Sequence, residues 1–81
     1  MATGLENVRA EIQKMVDDDP SIAAGTNISV MTETKGALFA KKERIVLSGS
    51  VRNELEKRRI EEIAHRIAGN REVINNIKIT R

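Results

Sequence analysis

The side chains most concentrated for chemistry lie between Lys35 and Arg44. The stretch KGALFAKKER sets Lys35, Lys41, Lys42 and Arg44 around Leu38 and Phe39, with Phe39 the sole aromatic residue and Glu43 the one opposing charge. Ammonium and guanidinium groups collaring an apolar tip suit an anionic bilayer surface. There each basic group contributes about 1 kcal/mol and a buried ring adds about 1.5–3 kcal/mol. The chemistry this predicts is weak, salt-sensitive association with phospholipid, with Lys35, Leu38, Phe39, Lys41, Lys42 and Arg44 as candidate contacts. The competing reading folds Leu38 and Phe39 inward to complete a core short of aromatics and leaves the lysines simply solvated.

Catalytic groups are scattered by comparison. His65 is the one histidine, and its place four residues after Glu61 on a helix makes it a surface residue more readily than a general base. There is no cysteine to act as nucleophile, disulfide or thiolate ligand. Ser48, Gly49 and Ser50 do not belong to a G-x-x-x-x-G-K phosphate loop, and G-x-S-x-G is missing. Asp17, Asp18 and Asp19 lack the alternating ligands and central glycine of a calcium loop, so they read as a solvated stop signal after a helix. The expectation is a protein that is not an enzyme and holds no cofactor or metal. Nucleic acid is the rival partner, through Lys57, Arg58 and Arg59. Glu54, Glu56, Glu61 and Glu62 interleave with those cations, no G-x-x-G clamp is present, and one aromatic cannot stack two bases.

These groups need elements to hold them. Ile45, Leu47, Gly49 and Val51 alternate with Val46, Ser48 and Ser50, the period of two expected of a strand with one buried face. Gly49 on the inward row lets the following helix approach closely or permits a bulge. Asn53 followed by Glu56 forms a variant capping box, with the Glu56 carboxylate reaching back to the Asn53 amide. Ile60, Ile63, Ala64 and Ile67 fall within about 100° of arc, a one-sided stripe, and Gly69 ends the helix. Glu54 before Arg58, Glu61 before His65 and Glu62 before Arg66 mark its solvated face. Val73, Asn75, Ile77 and Ile79 then alternate as a terminal strand, parallel to a neighbour.

Upstream, Thr3 and Glu6 make a T-x-x-E capping box, and Leu5, Val8, Ile12, Met15 and Val16 form the stripe of a helix over roughly residues 4–16. Pro20 disfavours helix at Asp19. Ser21 to Thr26 is a loop, and Ile28, Val30 and Thr32 define a strand over Asn27 to Thr34. The return turn falls either at Lys35 and Gly36 or near Lys41 to Arg44, and the pattern leaves both registers open. The order helix, strand, strand, helix, strand predicts an α+β fold, αββαβ, with two helices on one face of a three-stranded mixed sheet.

Eighty-one residues with 40% apolar content make a single domain, 1–81, near the lower size for an unstapled core. The net charge of +2 from 14 basic and 12 acidic residues argues against a polyelectrolyte role. No apolar run reaches the roughly 18 residues of a membrane span. The N-terminus has no basic and apolar leader, so the expectation for the chain as given is no secretory signal and a cytoplasmic place if it is full length.

In this order and spacing the sequence resembles a BON domain, the module named from bacterial osmotically inducible and nodulation proteins. The resemblance rests on D-P-S-I at Asp19 to Ile22, I-x-V at Ile28 to Val30, I-V-L-S-G-S-V at Ile45 to Val51, I-A-G at Ile67 to Gly69, and V-x-N-x-I-x-I at Val73 to Ile79. It implies the αββαβ fold, a binding module without a shared catalytic set, phospholipid contact, and a bacterial envelope or periplasmic setting. The alternative partner is a protein, in an oligomerisation or interaction role that uses an exposed edge strand or Leu55. KGALFAKKER departs from the compact glycine turn of the family, and Asn70 replaces the valine that often follows the helix glycine.

Overall fold

The computed structural model describes residues 4–22, 26–36 and 42–80. The elements are α1 (Leu5–Asp18), β1 (Ile28–Lys35), β2 (Lys42–Val51), α2 (Glu54–Ala68) and β3 (Glu72–Ile79). β2 is central, antiparallel to β1 and parallel to β3. The expected α+β order and mixed sheet are what the chain forms.

The inward row of β2 organises the core. Ile45, Leu47 and Val51 are buried, and packed over them are Val8, Ile12 and Val16 from α1 and Ile60, Ile63, Ala64 and Ala68 from α2. Each helix supplies one apolar stripe, and the stripes share one face of the sheet because both sets join a single cluster with Ile28, Val30 and Ile77. Val46 is also buried but lies outside that cluster, on the opposite side of the strand. Two expected stripe members sit differently. Met15 is 38% exposed, and Ile67 is only half-buried, its place deep in the core taken by Ala68.

The strands pair Lys35 with Lys42 and Ile28 with Gly49, so the connection runs through residues 36–41 and neither expected turn position holds. Gly49 answers a different need from the one expected. It adopts φ +123°, and a Cβ there would lie 2.0 Å from the Asn27 carbonyl oxygen. The close neighbour is thus the start of β1, not the helix.

The α2 cap forms with one change of partner. Asn53 Oδ1 accepts from the Glu56 amide at 2.9 Å, while Glu56 Oε1 accepts from the amide of Arg52 at 3.0 Å in place of Asn53. Glu56 is 4% exposed, which its engagement with the turn before the helix makes tolerable. At α1 the N-cap is Gly4, without a side-chain bond; Thr3 lies outside the described residues, and Glu6 accepts from Arg9 Nε at 2.8 Å. On α2 the pairs Glu62 with Arg66 and Glu61 with His65 form, at 3.2 and 3.6 Å. Among the described residues no ion pair joins Glu54 to Arg58.

The acidic run is more than a solvated stop. α1 continues through Asp17 and Asp18, which are exposed, and Asp19 is its C-cap with a side chain only 6% exposed. Asp19 accepts from Ser21 Oγ at 2.6 Å, the Ser21 amide at 2.8 Å and Arg59 Nε at 2.7 Å. It thereby ties the loop after α1 to α2. The hydroxyl and amide of Ser21, and then Arg59, hold its carboxyl down at about 2, against an ordinary 3.8.

Two outcomes follow from these contacts. A carboxyl whose folded-state pKa is depressed contributes stability that is present above about pH 4 and is lost as the pH falls towards 2. Replacing Asp19 by Asn is expected to cost about 1–2 kcal/mol at pH 6. In urea unfolding at stepped pH the gap to wild type closes between pH 5 and 2; a gap that stayed constant would contradict the role given to Asp19. Gly49→Ala is expected to lose at least about 2 kcal/mol from strain and the clash with Asn27. A loss below about 0.5 kcal/mol would show that β1 yields easily there.

Candidate functional site

Because side chains alternate along strands, the residues turned away from the helices form a second surface. β2 contributes Lys42, Arg44, Val46 and Ser48; β1 contributes Met31, Glu33 and Lys35; β3 contributes Glu72, Ile74 and Lys78. The register aligns them in rows across the sheet. Met31, Val46 and Ile74 make an apolar row, with Val46 buried between flanking strands and Met31 49% exposed. Next to it lies Glu33, Arg44 and Glu72. Arg44 Nε is 2.9 Å from Glu72 Oε1, at an angle that makes a charge contact without a hydrogen bond, and Nη1 is 3.9 Å from Glu33 Oε1.

One row nearer the hairpin, Lys35 and Lys42 stand directly opposite each other, both exposed. Like charges across a ladder are unfavourable. Among the described residues no carboxylate lies within ion-pair distance of either lysine. The hairpin base is therefore a pair of uncompensated ammonium groups, separated from the apolar row by the Glu33, Arg44, Glu72 row.

Of the six residues expected at the site, the structure brings Lys35, Lys42 and Arg44 to this end of one face, while Leu38, Phe39 and Lys41 lie outside the described residues. Arg44 is neutralised by its two flanking carboxylates, so it serves the sheet before any ligand. Met31, Ile74, Glu33 and Glu72 were missed. Their signal was the outward row of each strand, which the search for a core passes over.

The helix side holds the other candidates. Glu43 points that way and meets Arg71 Nε at 2.8 Å, on the wall of a surface groove of about 1080 Å³ whose floor includes Val8, Met15 and Ile67. Of the basic run on α2, Arg59 is engaged by Asp19 and by Glu62 at 3.1 Å. His65 is exposed beside Glu61, and Glu61 Oε2 accepts from Asn75 Nδ2 at 2.7 Å. Among the described residues no group of three histidine, cysteine, aspartate or glutamate side chains is placed to hold a metal ion, and no helix is long and apolar enough to cross a membrane.

Two helices over one face of a three-stranded mixed sheet, with the exposed Lys35 and Lys42 at the hairpin base, define a small αββαβ module. Its family follows from the sequence as a whole: the family model of the BON domain matches residues 5–81, and the chain belongs to that family. No curated protein matches it.

The Glu33, Arg44, Glu72 row carries its own test. Arg44→Glu sets three carboxylates abreast and is expected to destabilise the domain by about 1–2 kcal/mol at low salt, with part of the loss recovered in concentrated salt. Thermal unfolding at two ionic strengths measures this. Unchanged stability at low salt would mean that the row is not coupled.

Proposed function

We propose that this BON domain is a non-enzymatic module that docks on anionic phospholipid surfaces with the hairpin end of its helix-free sheet face. The observation that carries this reading is the pairing of Lys35 with Lys42, two exposed ammonium groups held opposite each other without a carboxylate between them. A phosphate group placed between them relieves their repulsion and gains two charge-assisted contacts. Two rows further along the same face, the half-exposed Met31 offers apolar area to the surface on which the lysines dock. Leu38, Phe39 and Lys41, which lie between the two lysines in sequence, add apolar side chains and a further positive charge.

A protein partner is the second reading, favoured by Leu55, which is 76% exposed at the start of α2 and far from the lysine pair in the chain. That reading places the module in an envelope-associated assembly. Nucleic acid ranks below both, since Arg59 is already committed to Asp19.

Vesicle co-sedimentation at low salt separates these readings. Wild type is expected to bind vesicles containing phosphatidylglycerol and not neutral ones. At about 1 kcal/mol per lysine, Lys35→Gln/Lys42→Gln weakens binding about thirtyfold. Arg44→Gln has a smaller effect because its charge is already balanced, and Phe39→Ala weakens binding without altering its salt dependence. Failure of wild type to bind anionic vesicles at low salt would remove the lipid reading and favour a protein partner.

A further inference from the structure

A three-stranded sheet has two open edges, each a row of backbone donors and acceptors able to pair with another chain. In this domain carboxamide side chains occupy part of each: two backbone groups on β1 and one on β3. On β1, Gln13 of α1 donates through Nε2 to the Ile28 carbonyl at 3.0 Å and accepts the Val30 amide through Oε1 at 3.1 Å, as a neighbouring strand would. On β3, the Ile77 amide donates to Asn75 Oδ1 at 3.0 Å, and Asn75 is held in place by Glu61. The Thr80 amide donates to the Val51 carbonyl, so even-numbered residues of β3 face β2 and odd-numbered ones face outward. A strand added at β3 would have to displace Asn75.

The same alternation makes Ile28, Val30, Thr32 and Thr34 the outward-facing residues of β1. The first two are clipped by Gln13. Among the described residues Thr32 and Thr34 have no backbone partner on that side. The free strip runs from Thr32 to Lys35, and its flanking side chains, Glu33 and Lys35, are exposed. The sequence Glu33, Thr34, Lys35 is its own complement when two copies run antiparallel. A register centred on Thr34 sets Glu33 opposite the partner's Lys35 twice over, in close pairs with Cα atoms about 4.5 Å apart. Centring on Glu33 or on Lys35 would oppose like charges. Centring on Thr32 would need the Val30 amide, which Gln13 already holds.

We infer that the hairpin end of the β1 edge is a docking strip for a second copy of this chain, paired antiparallel about a two-fold axis at Thr34. The contact is short and belongs with weak, transient interfaces, which bury little area. It joins two sheets edge to edge with their helix-free faces on the same side, so both Lys42 ammonium groups lie near the axis and one anionic surface can engage both copies. This pairing does not depend on lipid. It holds or fails in solution whatever the vesicle experiment shows.

Sedimentation equilibrium of the full chain at low salt, up to about 1 mM, tests it, with amide shifts followed over the same range. Wild type is expected to dimerise weakly, near the millimolar range, with concentration-dependent shifts at Thr32 to Lys35. Glu33→Lys and Lys35→Glu each oppose like charges at both symmetric positions and weaken the dimer at least tenfold. The double variant Glu33→Lys/Lys35→Glu restores it to within about twofold of wild type, which separates a paired contact from loss of folding. Thr34→Pro removes an edge donor without touching the β1 to β2 ladder, and abolishes the dimer. A wild type that stays monomeric with invariant shifts, or single reversals without effect, or a double variant that fails to recover, overturns the assignment.

Discussion

Everything in this domain depends on the inward row of β2. Ile45, Leu47 and Val51 are buried under both helices, while the strand is paired on both sides, so β2 can neither shift register nor turn over without exposing all three. A slip of one residue would place Val46, Ser48 and Ser50 against the helices. With a core built from isoleucine, valine, leucine and alanine and no buried aromatic ring among the described residues, tight packing around that row has to do what larger side chains do elsewhere. Asp19 and Glu56 reinforce it at one end of each helix: one ties α1 to α2 through Arg59, the other ties α2 to the end of β2 through the Arg52 amide.

Covering one face only is what leaves a surface for function. The helix-free side has graded rows: apolar at Met31, Val46 and Ile74, self-neutralised at Glu33, Arg44 and Glu72, and uncompensated at Lys35 and Lys42. The gradient runs towards the hairpin. Edge closure by Gln13 and Asn75 belongs with this arrangement, because a module with two free edges and an exposed apolar row would be prone to uncontrolled strand addition.

Most of the fold was legible because it is written in periodicity. The alternation of Ile45, Leu47 and Val51 and the helical spacing of Ile60, Ile63 and Ala64 each report one buried face, and both held. What was not legible depends on distance through space. Gly49 was read as making room for the helix or permitting a bulge, whereas the close contact comes from Asn27 across the ladder. Asp19 was read as solvated because Arg59, its partner, lies forty residues away. Of the site, composition revealed the cluster of cations, but only the register shows that Arg44 is neutralised while Lys35 and Lys42 are not. No periodic signal in the sequence KGALFAKKER sets the register of that hairpin.

The central claim is that function resides on the helix-free face at the hairpin base. Mapping backbone amide shifts during titration with bicelles containing anionic phospholipid tests it most directly. The account predicts that the largest changes fall on Met31 to Lys35 and Lys42 to Val46, and that they fade as salt is added. Changes centred on the outer surfaces of α1 or α2, with the hairpin strands unmoved, would contradict it.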